Sequence, residues 1–284
     1  MFRTRLRIPR QGLGFQLGLR STVNARRSLS THSVPTLPHN FSETGIENFM
    51  SPAGFSLAWT NYMTFTLEKL NALITGTELE DKTIKSIALM TAREPSQAPI
   101  FNYASMAHNN HFFFKNIAPK GTPMPEALRR ELEASFSSLE TLRLEFVVTA
   151  SAMFGPGFVW LVKAGLGEYR LLPTYLAGSP YPGAHWRAQP VDMNTVGSEG
   201  SARPYYRNQV LGSRQRVATN DLPPGGIELK PLLCLNTWEH AWLMDWGVGV
   251  GGRGGKTAFA EAWWEVIDWE KVADEAGVKQ GEYL

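Results

Sequence analysis

Near its C-terminus the chain runs Leu233-Cys-Leu-Asn-Thr-Trp-Glu-His-Ala-Trp-Leu-Met-Asp-Trp246. A Glu-His pair set between tryptophans, just past a short apolar run, is what the rim of a metal site looks like. Imidazole is a common metal ligand, and its usual companion would be a carboxylate on the same short segment. Two residues before Trp238, where that carboxylate would be wanted, stands Asn236, a neutral amide. His108 and His111 lie three apart on an expected helix and could share a face, although core-rim histidines are the simpler reading. Cys234 is the single cysteine; in an apolar run it reads as a small buried hydrophobe, not a nucleophile.

A glycine-rich run, Gly247-Val-Gly-Val-Gly-Gly-Arg-Gly-Gly-Lys256-Thr257, invites a phosphate-loop reading. That motif needs a glycine five residues before the Gly-Lys pair, and Val250 occupies the position. The run is expected to be a loop, from which Arg253 and Lys256 could touch a phosphate backbone.

The elements that must position these residues follow from spacing. Ser51-Pro52 is a helix opening, and Phe55, Trp59, Tyr62, Met63, Leu67, Leu70, Leu73 and Ile74 recur at helical intervals until Gly76. Further helices are expected over 100–116, 126–135, 139–154, 258–267 and 269–276. Short strands are expected over 158–163, 169–172 and 232–235. Pro119, Gly121, Pro123 and Pro125 punctuate a boundary between the two halves.

Two segments differ from the rest. Residues 1–41 contain no Asp or Glu, while Arg3, Arg5, Arg7, Arg10, Arg20, Arg26 and Arg27 are spread among Leu, Phe, Ser and Gly. That composition is expected of a mitochondrial transit peptide, assigned to 1–34. The whole chain carries 28 basic and 26 acidic residues, but residues 28–284 carry 21 and 26, net −5. A negative body argues against broad nucleic-acid binding. No apolar run is long enough to cross a membrane. The second segment, 177–230, lacks periodicity and carries Arg187, Arg203, Tyr205, Tyr206, Arg207, Arg214 and Arg216, a set suited to RNA or protein contact.

The stretch around Trp238 resembles the iron/manganese superoxide dismutase family, whose pattern there is Asp-x-Trp-Glu-His-Ala-Tyr. Leu37-Pro38, Leu70-Asn71, Phe101-Asn-Tyr-Ala-Ser, Gly155-x-Gly-Phe-Val-Trp160 and Phe259 to Val272 extend the resemblance over about 37–277, apart from the insertion. It implies an α+β fold. Residues 35–120 would form an N-terminal α-hairpin domain, and 121–284 an α/β domain with a small three-stranded antiparallel sheet. It also implies one metal held by three histidines and an aspartate, at positions that are here Ala58, Asn110, Asn236 and His240. Only His240 keeps the ligand type. The family's active-site tyrosine and gateway histidine correspond to Thr66 and Tyr62, and its solvent-tuning glutamine to Met106 or Ala177.

No catalytic residue, metal or other cofactor is therefore expected. Glu239 and His240, which in the family meet across a dimer, are candidates for a retained interface. A dismutase-like body without its ligands, behind a mitochondrial leader, resembles the dismutase-like proteins of the fungal mitochondrial small ribosomal subunit. That implies a structural role in the matrix supporting mitochondrial translation. The expected partners are small-subunit proteins, among them a homologous dismutase-like protein as heterodimer partner, with limited rRNA contact. The alternatives are a mitochondrial dismutase with a rebuilt metal site, or a non-ribosomal mitochondrial scaffold.

Overall fold

A computed structural model of the chain describes residues 32–92, 94–164, 167–181, 184 and 229–278. The expected leader lies outside these residues except for 32–34. There the His32 backbone donates to Asn71 Oδ1 and accepts from Asn71 Nδ2, at 3.0 and 2.8 Å.

The first long helix opens where expected. Ser51 Oγ accepts from Gly54 N at 3.0 Å and Pro52 occupies the first turn. Its pieces are α1 (Pro52–Phe55), a π-helical stretch (Ser56–Asn61) and α2 (Tyr62–Ile74). Phe55, Trp59, Met63, Leu67, Leu70 and Ile74 are buried, a stripe worth roughly 1.5–3 kcal/mol per large side chain. Beyond it α3 (Ile84–Thr91) forms, a helix not anticipated from the pattern; Thr83 caps it by accepting from Ser86 N at 3.2 Å. Helix α4 (Ala98–Lys115) packs on α2 and α3 and carries the Asn110 position.

The second half begins with α5 (Glu126–Phe136) and α6 (Leu139–Ala152). Leu128, Leu132 and Phe136 form the buried stripe of α5 at intervals of four. Then come β1 (Gly157–Ala164), β2 (Tyr169–Tyr175) and β3 (Leu229–Asn236), an antiparallel sheet in the order β2-β1-β3. Trp160, in the central strand, pairs with Leu172 on one side and Cys234 on the other. Helices α7 (Glu239–Trp246), α8 (Gly255–Trp264) and α9 (Trp269–Ala276) close the chain. The architecture is a helical N-terminal region followed by an α/β part with a three-stranded antiparallel sheet, as expected.

Several boundaries moved for identifiable reasons. Helix α6 stops at Ala152, where Met153 turns to an extended backbone (ψ 113°). Helix α8 starts three residues early, at Gly255, because positive-φ Gly254 and Gly255 make the turn directly into it. Strand β3 starts at Leu229, inside the expected insertion 177–230, since Leu229 and Lys230 pair with Ala164 and Lys163. At the insertion's other end, residues 177–181 are held against α4. Ser105 Oγ donates to Ala177 O at 2.6 Å, and Asn109 Nδ2 donates to Gly178 O at 2.8 Å.

Candidate functional site

The three elements expected to carry ligands do converge. Ala58 lies in the π-helical stretch, Asn110 midway along α4 and Asn236 at the end of β3, all with no exposed surface. They are joined by a chain of hydrogen bonds. Trp238 N donates to Asn236 Oδ1 at 2.9 Å. Asn236 Nδ2 donates to Asn110 Oδ1 at 3.0 Å, and Asn110 Nδ2 donates to Ala58 O at 3.0 Å. The ends determine how the amides face. A backbone N–H can only donate and a carbonyl can only accept, so Asn236 must turn its oxygen to Trp238 and Asn110 its nitrogen to Ala58. The remaining oxygen and nitrogen then meet correctly in the middle.

This geometry tests whether the residues fit a metal ion. A cation needs lone pairs pointed at it from imidazole or carboxylate groups. Here the facing amide oxygens both accept hydrogen bonds, and Ala58 has no donor atom. Among the described residues no three His, Cys, Asp or Glu side chains come together in a metal-sized group. The arrangement does not fit the family's metal.

His240 stands apart from the amide chain. Its ring stacks on Tyr62, with centroids 3.8 Å apart and planes 11° from parallel, and Trp238 lies 5.9 Å away. Burial pushes its pKa down to about 4, so the imidazole is neutral at neutral pH. Its buried Nε2 has no hydrogen-bond partner among the described residues. Burial likewise raises the Tyr62 phenol to about 12, opposed by a hydrogen bond with Thr66 and reinforced by Tyr103. Thr66 and Met106 are buried.

Other candidates fall in different places. Glu239 is exposed in the first turn of α7, beside half-buried Trp238 and His240. Trp238 Nε1 donates to Leu176 O at 3.2 Å. Leu176 has φ +53°, a conformation unfavourable for a side-chain-bearing residue, and its N–H donates to Pro156 O at 2.9 Å. Arg253 is exposed, whereas the half-buried Lys256 donates from Nζ to Met153 O at 2.7 Å, which commits its ammonium to the fold. Arg187, Arg203, Tyr205, Tyr206, Arg207, Arg214 and Arg216 lie outside the described residues.

Sequence reasoning missed what His108 does. Its Nε2 is 3.0 Å from Tyr181 Oη, across 73 residues of sequence, and Lys85 Nζ lies 4.3 Å from the centroid of the Tyr181 ring. The only advance signal was the spacing of Ser105, His108 and Asn109, which lines one side of α4 with polar groups.

Comparison with known proteins agrees with the fold. The iron/manganese superoxide dismutase C-terminal domain matches residues 209–275. The small ribosomal subunit protein mS43 of Schizosaccharomyces pombe is 28% identical over 262 residues, covering 89% of this chain and 88% of that protein. An iron superoxide dismutase of Entamoeba histolytica is 26% identical over 242 residues, covering 85% of this chain and 97% of that enzyme. The small ribosomal subunit protein mS42 of Schizosaccharomyces pombe is 27% identical over 193 residues, covering 66% of this chain and 70% of that protein. Fold, motif and relatives coincide: the chain is similar to the iron/manganese superoxide dismutases and to dismutase-like small ribosomal subunit proteins, and its C-terminal part matches the dismutase domain.

Proposed function

We propose that this protein is a non-catalytic structural component of the mitochondrial ribosome's small subunit. The observation that carries the reading is its similarity, over nearly the full length of both chains, to a small ribosomal subunit protein. The Trp238–Asn236–Asn110–Ala58 hydrogen-bond chain supports the non-catalytic part, because amide-to-amide bonding takes the place where dismutation would need a metal. The Arg-rich, acid-free leader supports import into the mitochondrial matrix, and with it a role in mitochondrial translation.

A homologous dismutase-like chain is the partner that fits best. His240 Nε2 has no hydrogen-bond partner among the described residues, while the neighbouring Glu239 carboxylate is exposed. A buried imidazole nitrogen without a partner beside an exposed carboxylate suits a reciprocal contact between two related subunits. Apolar surface continues the same face. Phe154 is fully exposed and Leu176 is 59% exposed, linked through Pro156 and Trp238 by the hydrogen bonds already described. Contact with rRNA would be limited, through Arg253 and the arginines of the insertion.

Sedimentation of mitochondrial extract tests the reading. The protein is expected in the small-subunit peak, together with a second dismutase-like chain. Recovery only in free soluble fractions, with stoichiometric iron or manganese and dismutase activity, would reverse it in favour of the enzyme. Recovery in a metal-free complex lacking ribosomal proteins would favour a scaffold.

A further inference from the structure

Helix α4 carries His108, His111, Phe112 and Lys115 at offsets of zero, three, four and seven, which puts them on one side. Lys115 Nζ lies 4.1 Å from the centroid of the Phe112 ring and 2.9 Å from Glu275 Oε1 of α9. Lys85, exposed on α3, is held over the Tyr181 ring that His108 also contacts. Lys271, one turn before Glu275 on α9, acts electrostatically on both Lys115 and His111. Lys85, Lys115 and Lys271 thus gather around His108 and His111, which burial keeps neutral with the lysine charges adding to the effect, while Asp268 and Glu275 favour the charge on Lys271.

The carboxylates facing this cluster are few. Glu275 is bound to Lys115, and Asp268 Oδ1 accepts from Thr122 Oγ1 and from Lys271 N. Lys85 and Lys271 have no ion pair among the described residues, and His111 has no hydrogen bond there. Burial holds the His111 pKa down at about 4, with Lys115 and then Lys271 adding to the effect. Residues 28–284 have net charge −5, so three lysines gathered around two neutral imidazoles run against the composition of the body.

Every polar group in the cluster can donate, and a phosphodiester offers only acceptors. Ring contacts restrain two of the ammonium groups, Lys85 on Tyr181 and Lys115 on Phe112, so less side-chain freedom is lost when an anion arrives. Separated ammonium groups, with imidazole donors between them, match charges repeated along a backbone better than they match one carboxylate. We propose that Lys85, His111, Lys115 and Lys271 form a contact site for the phosphodiester backbone of RNA, built from α3, α4 and α9. The site is distinct from Arg253 and from the insertion's arginines, and it rests on the ribosomal reading above only for the identity of the RNA.

The test uses the full chain and its Lys85→Gln/Lys271→Gln double variant, titrated with a single-stranded RNA oligonucleotide across a salt series. Removing one lysine–phosphate pairing should lower the log–log salt slope by about 0.7. The double variant should thus lose about 1.4 from its slope, making the affinity drop between 50 and 200 mM salt roughly sevenfold smaller than for the parent chain. An unchanged slope in a variant with an unaltered melting temperature overturns the site. A poly-glutamate competitor whose binding is weakened by the substitutions as strongly as that of RNA also overturns it, in favour of an acidic polypeptide. Binding of both chains to isolated small subunits separates the two readings. Failure of the parent chain to co-sediment sinks the ribosomal reading alone, while normal co-sedimentation with an unchanged RNA slope sinks the phosphate site alone.

Discussion

Two adjacent positions on α4 meet opposite electrical surroundings. Asn110 faces inward and joins a neutral chain in which every donor faces an acceptor. His111, the next residue, is kept neutral by burial, with the charges of Lys115 and Lys271 adding to the effect. The first arrangement is closed: its polar groups satisfy one another, and an ion entering it would break hydrogen bonds before it could form new ones. The second is open: Lys85 and Lys271 have no ion pair among the described residues, and a counter-anion would supply one. The closed chain leaves no free lone pair for a cation, whereas the lysines of the open region leave charge for an anion.

The sharpest way to break the closed region is Asn236→Asp, which restores the family's ligand type. The new carboxylate would still accept from Trp238 N, but its second oxygen would face Asn110 Oδ1. Turning Asn110 over does not help, because its oxygen would then face Ala58 O. Destabilisation of roughly 3 kcal/mol is expected, the cost of a buried charge left with an acceptor for a neighbour. The carboxyl's pKa should rise in the folded state, so the penalty is full at neutral pH and fades as pH falls through that raised value. Once protonated, the introduced carboxyl can donate to Asn110 and rebuild the chain. Urea unfolding of both proteins at pH 7 and at mildly acid pH measures this; a penalty that does not shrink on acidification would refute the assigned bonding.

A second effect comes from the buried imidazoles. His240 and His111 have pKa values pushed to about 4 and His108 to about 3, in each case first by burial. Depressed histidines favour folding fully above their unfolded pKa of about 6.5, and that contribution is lost as pH falls from there toward the folded values. Stability should therefore drop between pH 7.5 and 5, because the unfolded chain takes up protons the folded one refuses. His240→Gln should reduce the drop by about 1–2 kcal/mol. Partner binding that supplies an acceptor to His240 Nε2 should flatten the same profile, since it would favour the protonated form.

Much of the closed region was legible because it depends on residue types at positions a family pattern supplies. Asn236 two residues before Trp238 and Asn110 after Asn109 are visible in the sequence, and so is the apolar stripe that ends at Gly76. That the two amides bond to each other was not legible, because they sit 126 residues apart on α4 and β3 and only the fold gives them a common orientation. The π-helical stretch through Ala58 leaves no mark, since its apolar residues suit either helical period. Helix α3 went unseen because eight residues offer too few turns for periodicity to stand out. The open region was less visible still. Lys85, Lys115 and Lys271 are isolated lysines in the sequence, and His108 resembles a core-rim histidine until the fold brings Tyr181 against it.

Tyr181 sets the smallest test. Its hydroxyl serves His108 and its ring serves Lys85, so the two roles can be separated. Tyr181→Phe removes the hydrogen bond while keeping the ring; a stability loss of about 1 kcal/mol is expected, with RNA salt dependence unchanged. Tyr181→Leu also removes the aromatic face, adding roughly 0.5–1 kcal/mol of missing cation–π attraction and freeing the Lys85 side chain. If the ring does restrain that ammonium, the leucine variant should weaken RNA binding while the phenylalanine variant should not. Equal binding by both would mean that Lys85 needs no fixed position, and the open region would then act through net charge alone.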